Sequence, residues 1–359
     1  MHGERGPFHF KGGALPKTKG GLWPQIIDWD NLFQSYRRAR LGKRYRAEVL
    51  EFDDRLEENL TNIQNHLIWK SWSPGAWRQF TVTDPKIRLI QAPPFPDRVV
   101  HHALVDTIEP YFESKMIKDS YACRIGKGTQ AAVFRLQHML QKARRKYAKV
   151  YALKADISKY FPSIHHARLL EILAGTIRDK NALWLSEKII RNSGYESRGL
   201  PVGALTSQLF ANVYLDRLDH QVKDQWGVKH YLRYMDDFVI LAESKRNLWS
   251  MLRRIERFLV MDLGLALNPK TAVFPAAKGI DFAGYRTWPT HILPRKRNIK
   301  RTKKKFTSLS KLYAKGLVTL DYIKPRVDSF LGYAKHCNAE RTTQSTLNRL
   351  VLRRDDKYH

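Results

Sequence analysis

Three aspartates stand at positions where they could hold metal ions. Asp236 and Asp237 are adjacent in a Tyr-Met-Asp-Asp segment at residues 234–237, here called the YMDD motif, and Asp156 follows an apolar stretch at residues 150–155. Adjacent carboxylates repel each other, and each favours protonation of its neighbour. Divalent cations relieve that repulsion, because Mg²⁺ takes oxygen ligands and keeps positions open for substrate phosphates. Two such ions stabilise both oxygens of an in-line phosphoryl displacement, so the pattern predicts nucleotidyl transfer.

The flanking residues decide between this interpretation and a solvated turn, which is the commoner meaning of an isolated Asp-Asp pair. Residues 231–235 and 238–242 are rich in strand-forming types, which predicts a hairpin at the edge of a buried sheet. Asp156 and Asp236 are the predicted metal-bridging pair. Asp237 is either a third ligand or acts through its charge, and the backbone carbonyl of Ile157 is a further candidate ligand. The predicted cofactor is two Mg²⁺ ions, with Mn²⁺ as an alternative.

The charge balance indicates a polyanionic partner. The 359 residues include 64 Lys and Arg against 34 Asp and Glu, a net charge of +30, and each phosphate that such a surface neutralises releases counterions. The apolar stretches are too short for a membrane-spanning helix, and the N-terminal residues do not resemble a signal peptide. We therefore expect no membrane partner and a cytoplasmic location. Cys123 and Cys337 give no metal-ligand spacing, and Cys123 is expected to be a buried apolar residue.

Periodicity predicts an alternation of helices and strands, which is typical of an α+β fold. Residues 1–21 are expected to be an extended lead-in, and either Asp28 or Asp30 is expected to cap the helix that carries residues 36–40. Residues 79–91 predict a β-hairpin with Asp84 and Pro85 at its turn. Further helices are predicted over residues 52–72, 97–112, 131–145, 166–191 (as a pair), 207–226, 245–263 and 295–352, with strands over 230–242 and between 274 and 288.

The order of the motifs resembles that of reverse transcriptases. The resemblance rests first on Asp156 with Phe161, on residues 199–208 (Gly-Leu-Pro-Val-Gly-Ala-Leu-Thr-Ser-Gln) and on the YMDD motif. It implies a right-hand polymerase fold with an N-terminal extension (1–24), fingers (25–115), a palm (116–285) and a basic helical thumb (286–359). The residues after Tyr285 contain no second acidic cluster, so we expect no ribonuclease H or endonuclease domain. Segments at residues 84–88, 97–103, 121–129, 279–285 and 331–336 follow in the family's order.

The resemblance implies which residues meet the incoming deoxynucleoside triphosphate (dNTP). Lys86 and Arg88 would contact the triphosphate and base, although solvated hairpin charges are the alternative. Phe161 would exclude a 2′-hydroxyl by its bulk, and its alternative is an ordinary core residue. Gly203 would let the backbone approach the nucleotide.

Val202 stands where many retroviral relatives hold Gln, whose side chain can form a hydrogen bond to the nucleotide. Because an aliphatic side chain cannot form that bond, we expect low copying fidelity. The nearby Ser207 and Gln208 would face the template or the substrate.

Other residues are matched to leaving-group and primer contacts. Lys270 matches a family lysine proposed to protonate the leaving pyrophosphate; a phosphate-binding or merely exposed lysine is equally open. Phe282, Gly284 and Tyr285 resemble the primer grip, with a plain strand and bulge as the alternative. The basic run at residues 295–305 would grip the template–primer backbone unless it is only a solvated face. The residues of this run that we expect to contact the template–primer are Arg295, Lys296, Arg297, Lys300 and Arg301. A second basic cluster could bind structured RNA and comprises Lys142, Arg144, Arg145, Lys146 and Lys149.

The sequence of residues 205–214 resembles that of reverse transcriptases from diversity-generating retroelements. Group II intron enzymes, by contrast, usually carry Gly-Gly and Ser-Pro in that segment. This resemblance predicts error-prone copying of a template-repeat RNA into cDNA. The expected partners are dNTPs, the template RNA, the cDNA primer–template, a structured noncoding RNA and a small basic accessory protein. The alternatives are an antiphage-defence reverse transcriptase that copies a dedicated noncoding RNA, and a non-catalytic basic RNA-binding scaffold. The intact aspartates argue against the scaffold.

Overall fold

A computed structural model describes residues 19–83, 87–192 and 196–354 of the chain. Helices alternate with antiparallel strands, which confirms the predicted α+β class. The helices are α1 (Trp23–Ile27), α2 (Trp29–Ala39), α3 (Ala47–Asp54), α4 (Leu56–Ile68), α5 (Phe95–Glu113), α6 (Thr129–Lys146), α7 (Tyr160–Ser163), α8 (His166–Ala174), α9 (Lys180–Arg191), α10 (Leu205–His220), α11 (Lys245–Phe258), α12 (Lys296–Ala314), α13 (Leu320–Ala334) and α14 (Glu340–Leu347). The strands are β1 (Arg78–Val82), β2 (Arg88–Ala92), β3 (Tyr151–Asp156), β4 (Tyr231–Tyr234), β5 (Asp237–Ala242), β6 (Ala272–Pro275), β7 (Ile280–Phe282), β8 (Tyr285–Thr287) and β9 (Ile292–Pro294).

The chain folds into two compact units. Unit 1 combines the residues up to Lys115 with Ile164–Tyr214, and unit 2 combines Met116–Ser163 with the residues from Leu215 onward. The assignment of segments to fingers, palm and thumb stays a prediction, and most of the predicted lead-in lies outside the described residues.

Unit 1 is mainly helical, and its start shows how local contacts set helix boundaries. Asp28 caps α2, because its side chain accepts a hydrogen bond from the backbone N–H of Asn31 at 3.2 Å, which decides between the two candidate caps. The single helix predicted over residues 52–72 is wrong. The segment divides into α3 and α4 at Arg55, whose backbone is not helical. At this break the Asn59 side-chain Nδ2 donates a hydrogen bond to the carbonyl oxygen of Phe52 at 3.1 Å.

The predicted β-hairpin is present in unit 1 as strands β1 and β2. They pair antiparallel with Arg78 opposite Ala92 and Val82 opposite Arg88. Every residue of β1 is exposed, so the hairpin is a ribbon with little core of its own. Its predicted turn at Asp84 and Pro85 lies outside the described residues.

Unit 2 is built on a four-stranded antiparallel sheet in the order β4–β5–β3–β6. Helices α6 and α11 pack on it: the buried side chains of Leu136 and Leu140 in α6 join Ala152 of β3 and Val239 and Leu241 of β5 in one core cluster. Strand β3 is paired with β5 along its whole length and with β6 from Tyr151 to Lys154, so its register is fixed. This register positions Asp156.

The remainder of unit 2 contains a small sheet and a helical end. Strands β7, β8 and β9 form the sheet, and β9 was not predicted. Helices α12 and α13 share a core that includes Phe306, Ile323 and Phe330. Cys123 is exposed and has a left-handed backbone (φ +51°), so the expectation that it is buried is wrong. Within the described residues, every helix is too short or too polar to traverse a bilayer.

Candidate active site

Asp156 and Asp237 lie directly opposite each other at one end of the sheet in unit 2. They are the terminal pair of the β3–β5 ladder, where facing Cα atoms are about 4.5–5.5 Å apart. Asp236 belongs to the turn that precedes β5, and its carbonyl oxygen accepts a hydrogen bond from the N–H of Ile157 at 3.3 Å. The backbone segments that carry the three predicted aspartates therefore meet.

The turn that carries Asp236 is tight and strained. Strands β4 and β5 pair from Tyr234 and Asp237 outward, which leaves only Met235 and Asp236 to connect them. Met235 has φ +56°, a left-handed backbone that is costly for a residue with a Cβ atom. Strain of this kind concentrates at functional sites, where the surrounding structure holds it in place.

Asn268 links Asp156 to the segment that contains Lys270. The Asn268 N–H donates to the carbonyl oxygen of Asp156 at 2.7 Å, and its side-chain Nδ2 lies 3.3 Å from Asp156 Oδ2. The Asn268 Oδ1 accepts from the backbone N–H of Lys270 at 3.0 Å. Lys270 is exposed and is only two residues from an Asp156 contact, so a role in catalysis stays a prediction.

The Asp237 side chain is 24% exposed and lies among charged groups. Burial raises the pKa of its carboxyl to about 7; the ammonium group of Lys154, whose Nζ lies 3.4 Å from Asp237 Oδ2, works against this, and Asp156 and Asp236 add to it. Oδ1 of Asp237 is buried and has no hydrogen-bond partner in the described part of the chain. A buried carboxylate oxygen without a partner is costly, which marks it as a position for a cation.

The donor set fits hard divalent ions. Asp156, Asp236 and Asp237 supply carboxylate oxygens, and the buried Oδ1 of Asp237 is the observation that favours an ion there. Among the residues that the structure describes, no three His, Cys, Asp or Glu side chains are yet gathered as a metal-binding group. Lys154 engages one oxygen of Asp237, and Asn268 engages one oxygen of Asp156. The backbone carbonyl of Ile157 as a ligand stays a prediction.

Phe161 and Tyr160 differ in exposure just beyond Asp156. Tyr160 is 2% exposed, whereas Phe161 is only partly buried, and their rings meet edge to face at 5.7 Å. Tyr160 therefore anchors the short helix α7, and Phe161 keeps a ring surface that a ligand can contact.

The predicted nucleotide residues of unit 1 lie on two segments that touch. The N–H of Gln91 in β2 donates to the carbonyl oxygen of Val202 at 3.0 Å. Gly203 has φ +131°, and a Cβ atom there would lie 2.8 Å from the carbonyl oxygen of Gln91 and 2.9 Å from a side-chain carbon of Ile90. Only glycine permits this approach. The turn at Gly203 therefore packs against the β1–β2 hairpin, which also carries the exposed Arg88.

The other predicted contacts of unit 1 divide by exposure. Gln208 is exposed on the first turn of α10, but Ser207 is only 2% exposed. A direct contact of the Ser207 side chain with template or substrate is therefore corrected to a structural role. Lys86 lies outside the described residues.

The predicted primer grip is a hairpin held by the C-terminal helices of unit 2. Phe282 and Tyr285 are 0% and 4% exposed, so both side chains pack within the protein, and the match of this segment to the primer grip stays a prediction. The turn between them has left-handed residues at Ala283 (φ +44°) and Gly284 (φ +91°), as two-residue hairpins require. The carbonyl oxygen of Gly284 accepts from Tyr333 Oη at 2.6 Å. The turn is thus tied to helix α13.

The basic run lies on α12 and is largely solvent-facing. Arg295, immediately before the helix, is half-buried with Nε 3.9 Å from Asp281 Oδ1. A cavity of about 340 Å³ between α12 and the C-terminal end is lined by Thr307 and by the cations Lys300, Lys303, Lys304 and Arg349. The exposed members of the predicted set are Lys296, Arg297, Lys300 and Arg301. Their contact with template–primer stays a prediction.

Residues 82–287, more than half of the chain, match the family model described as reverse transcriptase (RNA-dependent DNA polymerase). The chain belongs to the reverse transcriptase family. The match covers β2, the Gly203 turn, all three aspartates and the hairpin at Gly284, so it confirms the predicted family and its right-hand polymerase fold class. The prediction of an RNA-directed DNA polymerase is confirmed at the level of the family.

Similar proteins include bacterial and intron-encoded chains. The reverse transcriptase is 24% identical to protein YkfC of Escherichia coli K12, over 65% of this chain and 72% of YkfC. It is 20% identical to the putative COX1/OXI3 intron 2 protein of Saccharomyces cerevisiae, over 59% of this chain but only 30% of that protein. Among solved structures, apo telomerase of Candida tropicalis matches with a TM-score of 0.49 at 13% identity, over 80% of this chain and 66% of that one.

Four residues that support the site of this reverse transcriptase were not predicted. Asn268 and Lys154 contact the carboxylates of Asp156 and Asp237. Arg233 and Asp219 form a buried ion pair beneath the YMDD motif. Lys154 stands two residues before Asp156, a spacing that places both side chains on one face of a strand. This strand alternation could have identified Lys154 from the sequence. Asn268, Arg233 and Asp219 could not be identified in this way, because their partners are distant in the chain.

Proposed function

We propose that this reverse transcriptase synthesises cDNA from dNTPs on an RNA template, with the active site at the Asp156 end of the sheet in unit 2. The observation that carries the proposal is the terminal pairing of Asp156 with Asp237, next to the strained turn at Asp236. When bound by these three aspartates, two Mg²⁺ ions would supply Lewis-acid stabilisation of the attacking and leaving oxygens, and Mn²⁺ has the same ligand preference.

The chain's own residues would prepare this site. Asn268 fixes the orientation of the Asp156 carboxylate, and Lys154 compensates the charge of Asp237 within the folded protein. Phe161 would lie beneath the sugar of the incoming nucleotide, and Arg88 would bind its triphosphate through forked N–H donors. Lys270 would protonate the leaving pyrophosphate.

Primer extension tests the activity. Purified protein is given an RNA template with an annealed DNA primer, dNTPs and Mg²⁺, and we expect extension that Asp236→Ala abolishes and that Mg²⁺ chelation stops. Asp262→Asn, at an exposed aspartate outside the site, should extend as the wild type does. Wild-type protein that binds the primed RNA but never extends it would instead support the non-catalytic scaffold.

We further propose that copying is error-prone, as in diversity-generating retroelements. The half-buried Val202 supports this, because its backbone is fixed against Gln91 while its aliphatic side chain offers no hydrogen bond to a nucleotide. Val202→Gln should lower misincorporation opposite template adenine, and Val202→Ile, which stays aliphatic, should leave it unchanged. Equal error rates in all three proteins would contradict the proposal.

The biological role follows from the same proposal. A retroelement of this kind would pair the enzyme with a template-repeat RNA and a small basic accessory protein. A neighbouring variable-protein gene with an imperfect repeat would support that role, whereas a dedicated noncoding RNA without such a gene would favour antiphage defence.

A further inference from the structure

The sheet of unit 2 has a second end that carries a concentration of positive charge. Strand β3 pairs with β5 from Asp156–Asp237 at one end to Tyr151–Ala242 at the other. Five residue steps at about 3.3 Å each place the two ends about 16 Å apart. We call the six exposed cations at the Tyr151 end the far-end basic surface: Lys142, Lys146, Lys149, Lys229, Lys245 and Arg246.

These cations come from four segments: the end of α6, the residues before β3 (Lys149, two positions before Tyr151), the residues before β4 and the start of α11. Lys142 and Lys146 lie on the last turns of α6, and both are close enough to His230 that their charges lower its pKa further, after burial and Lys223. Lys229 immediately precedes His230, whose carbonyl oxygen accepts from the Leu241 N–H at 3.0 Å. Lys245 begins α11, with its Nζ 5.8 Å from the ring centre of Tyr151. The six charges therefore belong to one surface.

A groove is lined by two of the cations, Lys146 and Lys229. Its volume is about 280 Å³, and its other lining residues include the acidic Glu243 and the apolar Leu241, Leu248 and Met251. A groove lined by both apolar and cationic side chains can contact the sugars and the phosphates of one chain.

Positive charge predominates at the far end, although the acidic Glu243 also lines the groove. In the parts of the chain that the structure describes, none of the six cations has a carboxylate oxygen within the 4.0 Å of an ion pair. Like charges gathered without counter-charges destabilise the folded state. An external polyanion would remove that cost.

Helix stability explains only part of this arrangement. Cations on the last turn of α6 interact favourably with the helix dipole. Lys245 and Arg246, however, occupy the first turn of α11, which contains no acidic residue, and there the dipole disfavours positive charge. Their position calls for a partner outside the helix.

We propose that the far-end basic surface binds the sugar–phosphate backbone of structured RNA that lies outside the template–primer duplex. The assignment to RNA rests on the proposed function, in which the template is RNA and the growing end sits at Asp156. A surface at the opposite end of the strands would hold the folded part of the same RNA and keep it attached during synthesis. Binding of this kind depends on salt, because each phosphate that is neutralised releases counterions.

The test separates RNA binding from polymerisation. Binding of a labelled RNA hairpin is measured across a KCl series without dNTPs, and extension of oligo(dT) on poly(rA), a template without stable folds, is measured separately. The far-end variant removes four of the charges and leaves α6 intact, and a control variant removes four exposed cations elsewhere. The far-end variant is K149Q/K229Q/K245Q/R246Q, and the control is R37Q/R55Q/K180Q/K188Q.

We expect the far-end variant to bind the hairpin about tenfold or more weakly, with a salt slope that is smaller by about 0.7–0.9 for each phosphate that the variant no longer neutralises. Its extension on poly(rA) should equal that of the wild type. Unchanged hairpin affinity and slope, or an equal loss in the control, would overturn the proposal. Polyglutamate that competes as well as unlabelled hairpin would overturn the choice of RNA in favour of an acidic protein. Failure of the proposed function is a different result: wild-type protein that does not extend oligo(dT).

Discussion

Arg233 and Asp219 form a completely buried ion pair directly beneath the YMDD motif. Both side chains are 0% exposed, and three hydrogen bonds of 2.6–3.0 Å join the guanidinium to the carboxylate. A further guanidinium N–H donates to the carbonyl oxygen of Met235 at 2.9 Å. The ion pair therefore fixes the backbone carbonyl of Met235, the strained residue that directly precedes Asp236. Tyr231 Oη completes it with a bond to Asp219 at 2.6 Å.

Removal of this guanidinium should damage both stability and activity. Arg233→Met leaves the Asp219 carboxylate buried without a counter-charge, which costs about 3–5 kcal/mol of unfolding free energy. Urea unfolding measures that loss. Primer extension by the fraction that remains folded should also fall, because the Met235 carbonyl loses its donor.

An exposed pair provides the control for Arg233. Arg191 and Glu187 are joined at 2.7 Å but are 57% and 45% exposed, so Arg191→Met should cost less than about 1 kcal/mol. If both variants unfold at the same urea concentration, the buried pair does not have the structural role inferred for it.

The glycine at position 203 should be required for the contact between its turn and β2. In Gly203→Ala the new Cβ atom would lie within 3.0 Å of Gln91 and Ile90. Overpacking of this kind typically costs about 1–3 kcal/mol, in addition to the cost of the backbone conformation. We expect a lower unfolding midpoint and a higher Michaelis constant for dNTP, because the Val202 segment must move.

Gly42→Ala separates the two costs. Gly42 also has a positive φ, +69°, but nothing lies within 4 Å of its ideal Cβ position. Its substitution should therefore cost only the backbone strain, and dNTP use should not change. Equal effects of the two substitutions would show that the contact with β2 is unimportant.

Local patterns predicted most of the elements but not the contacts between distant residues. The strands beside the YMDD motif were predictable because β-branched and aromatic residues flank it on both sides. The break at Arg55 was not, since the bond that accompanies it comes from the side chain of Asn59. Nor could a lysine or serine be assigned to surface or core by type alone: Ser207 was expected to face a ligand and is buried.

The supporting residues of the site show the same limit more sharply. Arg233 alternates with apolar residues in a strand, which predicts a solvent-facing charge, yet its counter-charge lies 14 positions earlier on a helix. Asn268 meets Asp156 across 112 positions. Single-sequence patterns carry no information about such pairs, because the free energy of each depends on tertiary burial.

Asp97 should make the stability of the protein depend on pH. Its carboxyl is 5% exposed and accepts a hydrogen bond from the Gly75 N–H at 2.8 Å. Burial raises its pKa to about 6, although that hydrogen bond opposes the rise. Because the folded pKa is above the unfolded value of about 3.9, the folded state binds more protons between these values. Stability contributed by Asp97 is therefore full below about pH 4 and is lost as the pH rises through 6.

Asp97→Asn should remove that dependence. At pH 7 the variant should unfold with a free energy higher by up to about 3 kcal/mol, which corresponds to two pKa units. Urea unfolding at pH 4, 5, 6 and 7, roughly from the unfolded pKa to just above the folded one, measures the unfolding free energy as a function of pH. Asp30→Asn, at an exposed first-turn position of α2, should keep the wild-type profile. A profile in Asp97→Asn identical to the wild type would contradict the assignment.

Phe161 should discriminate between sugars, and Tyr160 should not. Phe161 is only partly buried, whereas Tyr160 is 2% exposed, and the two rings meet edge to face. A smaller side chain at 161 leaves room for a 2′-hydroxyl, so Phe161→Val should lower the preference for deoxynucleotides by roughly tenfold or more. Tyr160→Val should leave that preference unchanged but cost roughly 3 kcal/mol of unfolding free energy, because it opens a cavity. Competition between dCTP and CTP in primer extension, with urea unfolding of both variants, measures the two effects. If Tyr160→Val relaxed sugar choice while Phe161→Val only destabilised the fold, the roles of the two rings would be reversed.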